Sequence, residues 1–126
     1  MRYWEVNQPG WGADEHAFAT GWRAQHKYVV SATLSEVGPN ATLISQDFDR
    51  QIEALKSGHT GNVEVSGTQL AQSLAARGLI DTYHLYLHPV VLNHGKPFFG
   101  GAVPRLRLTG SQRIGPDVIR LTYVPT

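Results

Sequence analysis

Cysteine is absent from this 126-residue chain, which excludes disulfides, thiolate metal sites and cysteine nucleophiles and suits a reducing compartment. No apolar run approaches the roughly 20 residues needed to cross a bilayer. The opening MRYWEVNQPGWG has neither the apolar core of a secretory signal nor the Arg- and Ser-rich bias of a transit peptide. Charge of one sign is missing too, because eleven Lys and Arg stand against ten Asp and Glu for a formal net charge of +1. The basic residues are scattered, so neither nucleic acid nor an anionic membrane is expected as a partner. Phosphate-loop and dinucleotide glycine fingerprints are lacking, as are serine-nucleophile motifs. What remains is a soluble, cytoplasmic protein, of a size for one domain with one core.

Hydrophobic spacing gives the order of elements. Tyr3, Trp4 and Glu5 read as the last turn of a helix that begins earlier. NQPGWG at residues 7–12 is a loop, and residues 14–25 form a helix with Phe18 and Trp22 one turn apart, weakened by Gly21. Residues 27–31 (KYVVS) and 42–44 (TLI) read as strands, with a turn at residues 37–40 between them. Asp47 is placed to cap a helix whose stripe is Phe48, Ile52 and Leu55, with Lys56 in its last turn and Gly58 as its stop. Residues 106–114 and 118–124 flank Gly115-Pro116-Asp117, a hairpin signature.

Residues 63–99 hold the stretch around which the rest is organised. Val63 and Val65 alternate as in a strand, Ser66-Gly67-Thr68 breaks it, and Leu70, Ala71, Leu74 and Ala75 then fall on one helical stripe up to Gly78. Alternation resumes at Tyr83, with Leu85 and Leu87 on one face and His84, Tyr86 and His88 on the other. Pro89 marks a bulge or an edge there. A strand that enters a helix through small residues points free N–H groups and the positive end of the helix dipole at one spot, which suits an anion. Helices alternating with strands argue for parallel crossovers, and the closing hairpin for an antiparallel end.

Six histidines invite a metal, but His84 and His88 on one strand face lie roughly 13 Å apart at ~3.3 Å per residue, too far to share an ion held at ~2.0–2.1 Å. That face suits a cleft, a homodimer interface or solvent. Asp81, before the strand, reads as a turn residue rather than a general acid.

These segments resemble the dihydrofolate reductase-like fold, and within it the reductases similar to the C-terminal domain of the bacterial riboflavin-biosynthesis enzyme. The motifs are KYVVS at residues 27–31 with Thr33-Leu34, Glu36-Val37-Gly38, TLIS at 42–45 and Val65-Ser66-Gly67. They continue with Gly78-Leu79-Ile80-Asp81-x-Tyr83, His88-Pro89-Val90-Val91-Leu92 and Gly95-Lys96-Pro97-x-Phe99. The resemblance implies a mixed, mostly parallel sheet with flanking helices and an antiparallel C-terminal hairpin. It also implies a reductase that passes hydride from NADPH to a pyrimidine- or pteridine-like small molecule. Ser66, Gly67, Thr68 and Gln69 match the turn that holds the cofactor phosphates, Ser31 and Thr33 the segment that meets the 2′-phosphate, and Ser45 the strand end beside the adenine.

Three departures carry physical meaning. Ala32 stands where the family has an arginine, removing the charge-assisted partner of a 2′-phosphate. Ser66 replaces a glycine and crowds the backbone's approach. The family's opening strand, lid loop, substrate-binding helix and Gly-Arg strand precede the segment matching Tyr3-Trp4-Glu5 and have no counterpart here. The catalytic residues are therefore not assigned. A non-catalytic oligomeric or ligand-binding domain is the alternative to an active reductase, and substrate-reading residues are expected in the loop at 93–101.

Overall fold

The computed structural model describes residues 2–101 and 104–126, without the side chain of Arg2. Its helices, parallel strand pair and antiparallel C-terminal sheet form a mixed α/β structure that divides into two compact units, residues 1–60 and 61–126. Each is described by itself.

In the first unit a 3-10 turn at Arg2–Trp4 precedes helix α1, Ala13–Ala24. The rings of Trp4 and Phe18 meet at 4.7 Å and those of Trp4 and Trp11 at 5.0 Å. Arg23 Nε donates to the Trp4 carbonyl at 2.7 Å, tying the N-terminal segment to α1. Ala19 is the buried residue of α1, whereas Phe18 is half exposed. Trp22 does not extend a core stripe with Phe18; its ring lies 4.1 Å from Lys27 Nζ in a cation–π contact.

Strands β1, Lys27–Val30, and β2, Ala41–Ile44, pair in parallel with Lys27 opposite Ala41 and Val30 opposite Ile44. Their connection carries no helix and closes on Asn40, which is left-handed at φ +51. Asn40 Nδ2 lies 3.0–3.1 Å from the carbonyl oxygens of Arg23, Ala24 and Gln25, so it satisfies the end of α1. Helix α2, Phe48–Gly58, buries Ile52 as its spacing predicts. Asp47 starts α2, but with φ +48 and with no capping hydrogen bond accepted by its side chain. Side-chain caps need an extended backbone, so the expected carboxylate cap does not form.

In the second unit residues 62–66 form no strand, and Val63 and Val65 are 45% and 39% exposed. Alternation alone does not make a strand, which needs ladder partners. Among the described residues strand β3, Tyr83–Leu87, pairs with the last strand alone, which leaves its other side without a ladder there. Helix α3, Thr68–Ala76, buries Leu74 with Leu70, Ala71 and Ala75 half covered, the stripe read from its spacing. It ends in a Schellman motif: Gly78 takes φ +67, and the amides of Leu79 and Gly78 donate to the carbonyls of Leu74 and Ala75, both at 3.0 Å.

The Val90 amide donates to the His88 carbonyl at 2.8 Å, a γ-turn around Pro89. Pro89 therefore stands beyond the end of β3 rather than within it. Strands β4, Leu106–Ile114, and β5, Val118–Pro125, form the hairpin, with Gly115 at φ +65 in its turn and a bulge between Leu108 and Gly110. Their sheet runs in the order β3-β5-β4, antiparallel throughout.

Candidate functional site

The turn at the end of β1 is built by one side chain. The Ser31 amide donates to the Ile44 carbonyl at 3.1 Å, which sets the carboxyl ends of β1 and β2 side by side and puts Ser45 next in the chain. Ser31 Oγ accepts the amides of Thr33 and Leu34, both at 3.2 Å, and lies 3.4 Å from Thr33 Oγ1. This is a serine turn in which the hydroxyl saturates the donors around it. Ala32, Thr33 and Ser45 are exposed.

In the second unit, Ser66, Gly67, Thr68 and Gln69 surround the start of α3 and are exposed. Gly67 precedes the helix at φ +101, a conformation that L side chains rarely adopt, and an added Cβ would meet nothing within 4 Å. The Gly67 carbonyl accepts the Ala71 amide at 3.0 Å, and among the described residues no side chain caps the helix. The amides of Thr68, Gln69 and Leu70 precede the first intrahelical bond, so they face outward with the positive end of the helix dipole behind them.

The structure thus gathers Ser66 to Gln69 around one helix start. It gathers Ser31, Thr33 and Ser45 at one strand end. The two groups belong to different units. Leu70 joins the first set through its amide, not its side chain, which is why a reading of side chains passed over it; its position three residues after Gly67 is the signal. The loop at residues 93–101 reaches the same helix, since a Cβ on Gly100 would lie 2.6 Å from Gln72 Nε2.

Other constellations are structural. His84 Nδ1 lies 3.2 Å from Thr122 Oγ1, its neighbour across β5. His26 lies 3.1 Å from Asn40 Oδ1 and 2.8 Å from Thr42 Oγ1, bracing the loop that ends α1. Among the described residues no three His, Asp or Glu side chains are placed to hold a metal ion. No helix among them is long and apolar enough to cross a membrane. Tyr83 is 5% exposed, and its buried hydroxyl has no hydrogen-bond partner among the described residues. Burial raises its phenol above the usual 10.0, so it stays neutral and is no acid at physiological pH.

Comparison with known proteins agrees with this architecture. The chain is 29% identical over 108 residues to the uncharacterized protein YyaP of Bacillus subtilis (strain 168), covering 81% of this chain and 57% of that relative. It spans little more than half the length of the curated relative it matches. It also resembles the crystal structure of a putative riboflavin biosynthesis protein from Shewanella sp. PV-4, with a TM-score of 0.72 and 18% identity over 91% of this chain and 71% of that one. At that identity the likeness shows the fold. The model of the RibD C-terminal domain family matches residues 5–120, across both units. The chain belongs to the RibD C-terminal domain family.

Proposed function

We propose that this chain carries part of the cofactor site of a nicotinamide-dinucleotide reductase acting on a pyrimidine- or pteridine-like small molecule, NADPH being the cofactor its family implies. The observation that supports this reading is the uncapped start of α3 behind Gly67. It fits a diphosphate: three amides face outward, the residue before them has no side chain to fill the approach, and the helix dipole favours negative charge. Thr68, Gln69 and Leu70 would hold the diphosphate through their N–H groups, with the Ser66 hydroxyl beside them. When bound, the cofactor supplies the hydride. The part of this chain is to bind and orient it, and the loop at 93–101 contributes to the substrate side.

Thermal unfolding of the purified chain tests this. NADH or NADPH at about 100 times its dissociation constant adds ~2.7 kcal/mol to a native state that alone binds it. A midpoint blind to both nucleotides would refute the reading.

A second reading, a non-catalytic domain that binds a ligand or pairs as a homodimer, is favoured by the apolar surface left uncovered. Val91 and Leu92 are 84% and 71% exposed, and Tyr86 is half exposed on the outer face of β3. It predicts a dimer by light scattering and no turnover with either cofactor.

A further inference from the structure

We infer that the sheet face around Arg120 binds an oxyanion, carboxylate or phosphate, carried on a planar ring. The inference does not rest on the cofactor reading, and strand pairing sets its residues. Arg120 of β5 stands opposite Tyr86 of β3 on one side and opposite Gln112 of β4 on the other. Residues paired directly across a sheet share a face, with Cβ atoms about 4.5–5.5 Å apart. One row therefore sets a phenol, a guanidinium and an amide side by side.

This row is rich in donors. Arg120 Nη2 donates to Gln112 Oε1 at 2.6 Å. A guanidinium has no acceptor, so the amide meets it through its oxygen, and the exposed Gln112 has its amide hydrogens left to donate. Arg120 Nε is buried and has no hydrogen-bond partner among the described residues. Tyr86 is half exposed and flanks the guanidinium with a ring. In the next row His84 Nδ1 lies 3.2 Å from Thr122 Oγ1, and Gly110, opposite Thr122, brings no side chain. The floor beside the guanidinium is therefore low.

The charge on this sheet is of one sign. Its three strands carry Arg107, Arg113 and Arg120 and contain no Asp or Glu, and the sequence from residue 82 to residue 116 has no acidic residue. Arg113 pairs with Ile119 and so lies on the opposite face, where its guanidinium donates to the Pro116 carbonyl of the hairpin turn. Arg107, paired with Val124, shares the face of Arg120. Basic residues that are scattered along the chain are thus gathered by the ladder. A half-buried guanidinium on strands without a carboxylate favours an anion, and its bonds to carboxylate or phosphate are of the strong, charge-assisted kind. The Tyr86 ring beside it narrows the ligand from a bare ion to an aromatic acid or an aryl phosphate, which stacks while its anionic group meets Arg120 and Gln112.

Nitrogen–proton correlation spectra of the arginine side chains test this, recorded on the 126-residue chain during titration with phenyl phosphate, benzoate and inorganic phosphate. The Arg120 Nε–H signal is expected to move with phenyl phosphate or benzoate at lower concentration than with inorganic phosphate, while the Arg113 signal stays. Tighter phenyl phosphate assigns the phosphate and tighter benzoate the carboxylate, and either supports the site. Gln112→Glu, at an exposed position, gives Arg120 a carboxylate of its own and is expected to weaken the tighter ligand on the order of tenfold, the scale of one hydrogen bond to a charged group. Tyr86→Ala, also exposed, is expected to weaken the aromatic ligands about fivefold, the scale of an aromatic pair, and to leave inorganic phosphate unchanged. Arg113 and Arg120 signals that moved together at the same concentration would mean an adventitious ion only and overturn the inference. Unaltered affinity in Gln112→Glu or in Tyr86→Ala would overturn it as well.

Discussion

Ser31-Ala32-Thr33 and Ser66-Gly67-Thr68 have nearly the same composition, yet one turn closes on itself and the other stays open. After β1 the Ser31 hydroxyl sits inside the turn and accepts the amides of Thr33 and Leu34. Before α3 the positive φ of Gly67 swings the chain directly into the helix, and no described side chain returns to the amides of the first turn. A small-residue turn is an anion site only when its own oxygens leave the N–H groups unanswered. The comparison teaches that the open turn leaves donors for an anion and that the closed one has already used its own.

The largest effect that would strain this contrast comes from the core beneath the open turn. Leu74 is the buried anchor of α3, and Leu74→Ala costs about 3 kcal/mol, read by urea unfolding with far-ultraviolet circular dichroism. Nucleotide affinity that survived a loosened α3 would remove the helix start from the site. Thr68→Pro acts at the site with less disturbance, because the first helical position tolerates proline and loses only an N–H that the helix does not use. It weakens nucleotide binding about tenfold, the worth of one hydrogen bond to a charged acceptor, with the thermal midpoint of the free chain unchanged. Ser31→Ala opens the closed turn at a cost of about 1 kcal/mol, and amide exchange at Thr33 and Leu34 speeds up.

The smallest effect belongs to Tyr83. Its hydroxyl is buried without a hydrogen-bond partner among the described residues, so Tyr83→Phe removes a desolvation cost and raises stability, by less than ~1 kcal/mol at neutral pH. Because burial raises the phenol above 10.0, the folded state holds its proton more tightly than the unfolded chain. Stability therefore falls as pH rises past about 10, and the fall is shallower in Tyr83→Phe, as pH-dependent denaturation would show.

Much of the fold was legible because local patterns and long-range pairing agree. The β4–β5 hairpin follows from its Gly-Pro-Asp turn, and α3 from its stripe and from Gly78, whose left-handed backbone forms the expected terminus. The misreadings lie where pairing decides. Val63 and Val65 alternate like a strand but have no ladder neighbour among the described residues. Asp47 has the right side chain for a cap on a backbone that cannot present it. At the site the helix start was legible from Ser66-Gly67-Thr68. The self-closure of the Ser31 turn was not, because it depends on where one hydroxyl rotates, and composition does not record that.

The central claim is that the first-turn amides of α3 hold the nucleotide, and amide hydrogen exchange in the free and NADH-saturated chain tests it most directly. The account predicts that exchange at Thr68, Gln69 and Leu70 slows on saturation, because bound phosphate oxygens take those N–H groups. Saturation that left these three amides exchanging as in the free chain would contradict it.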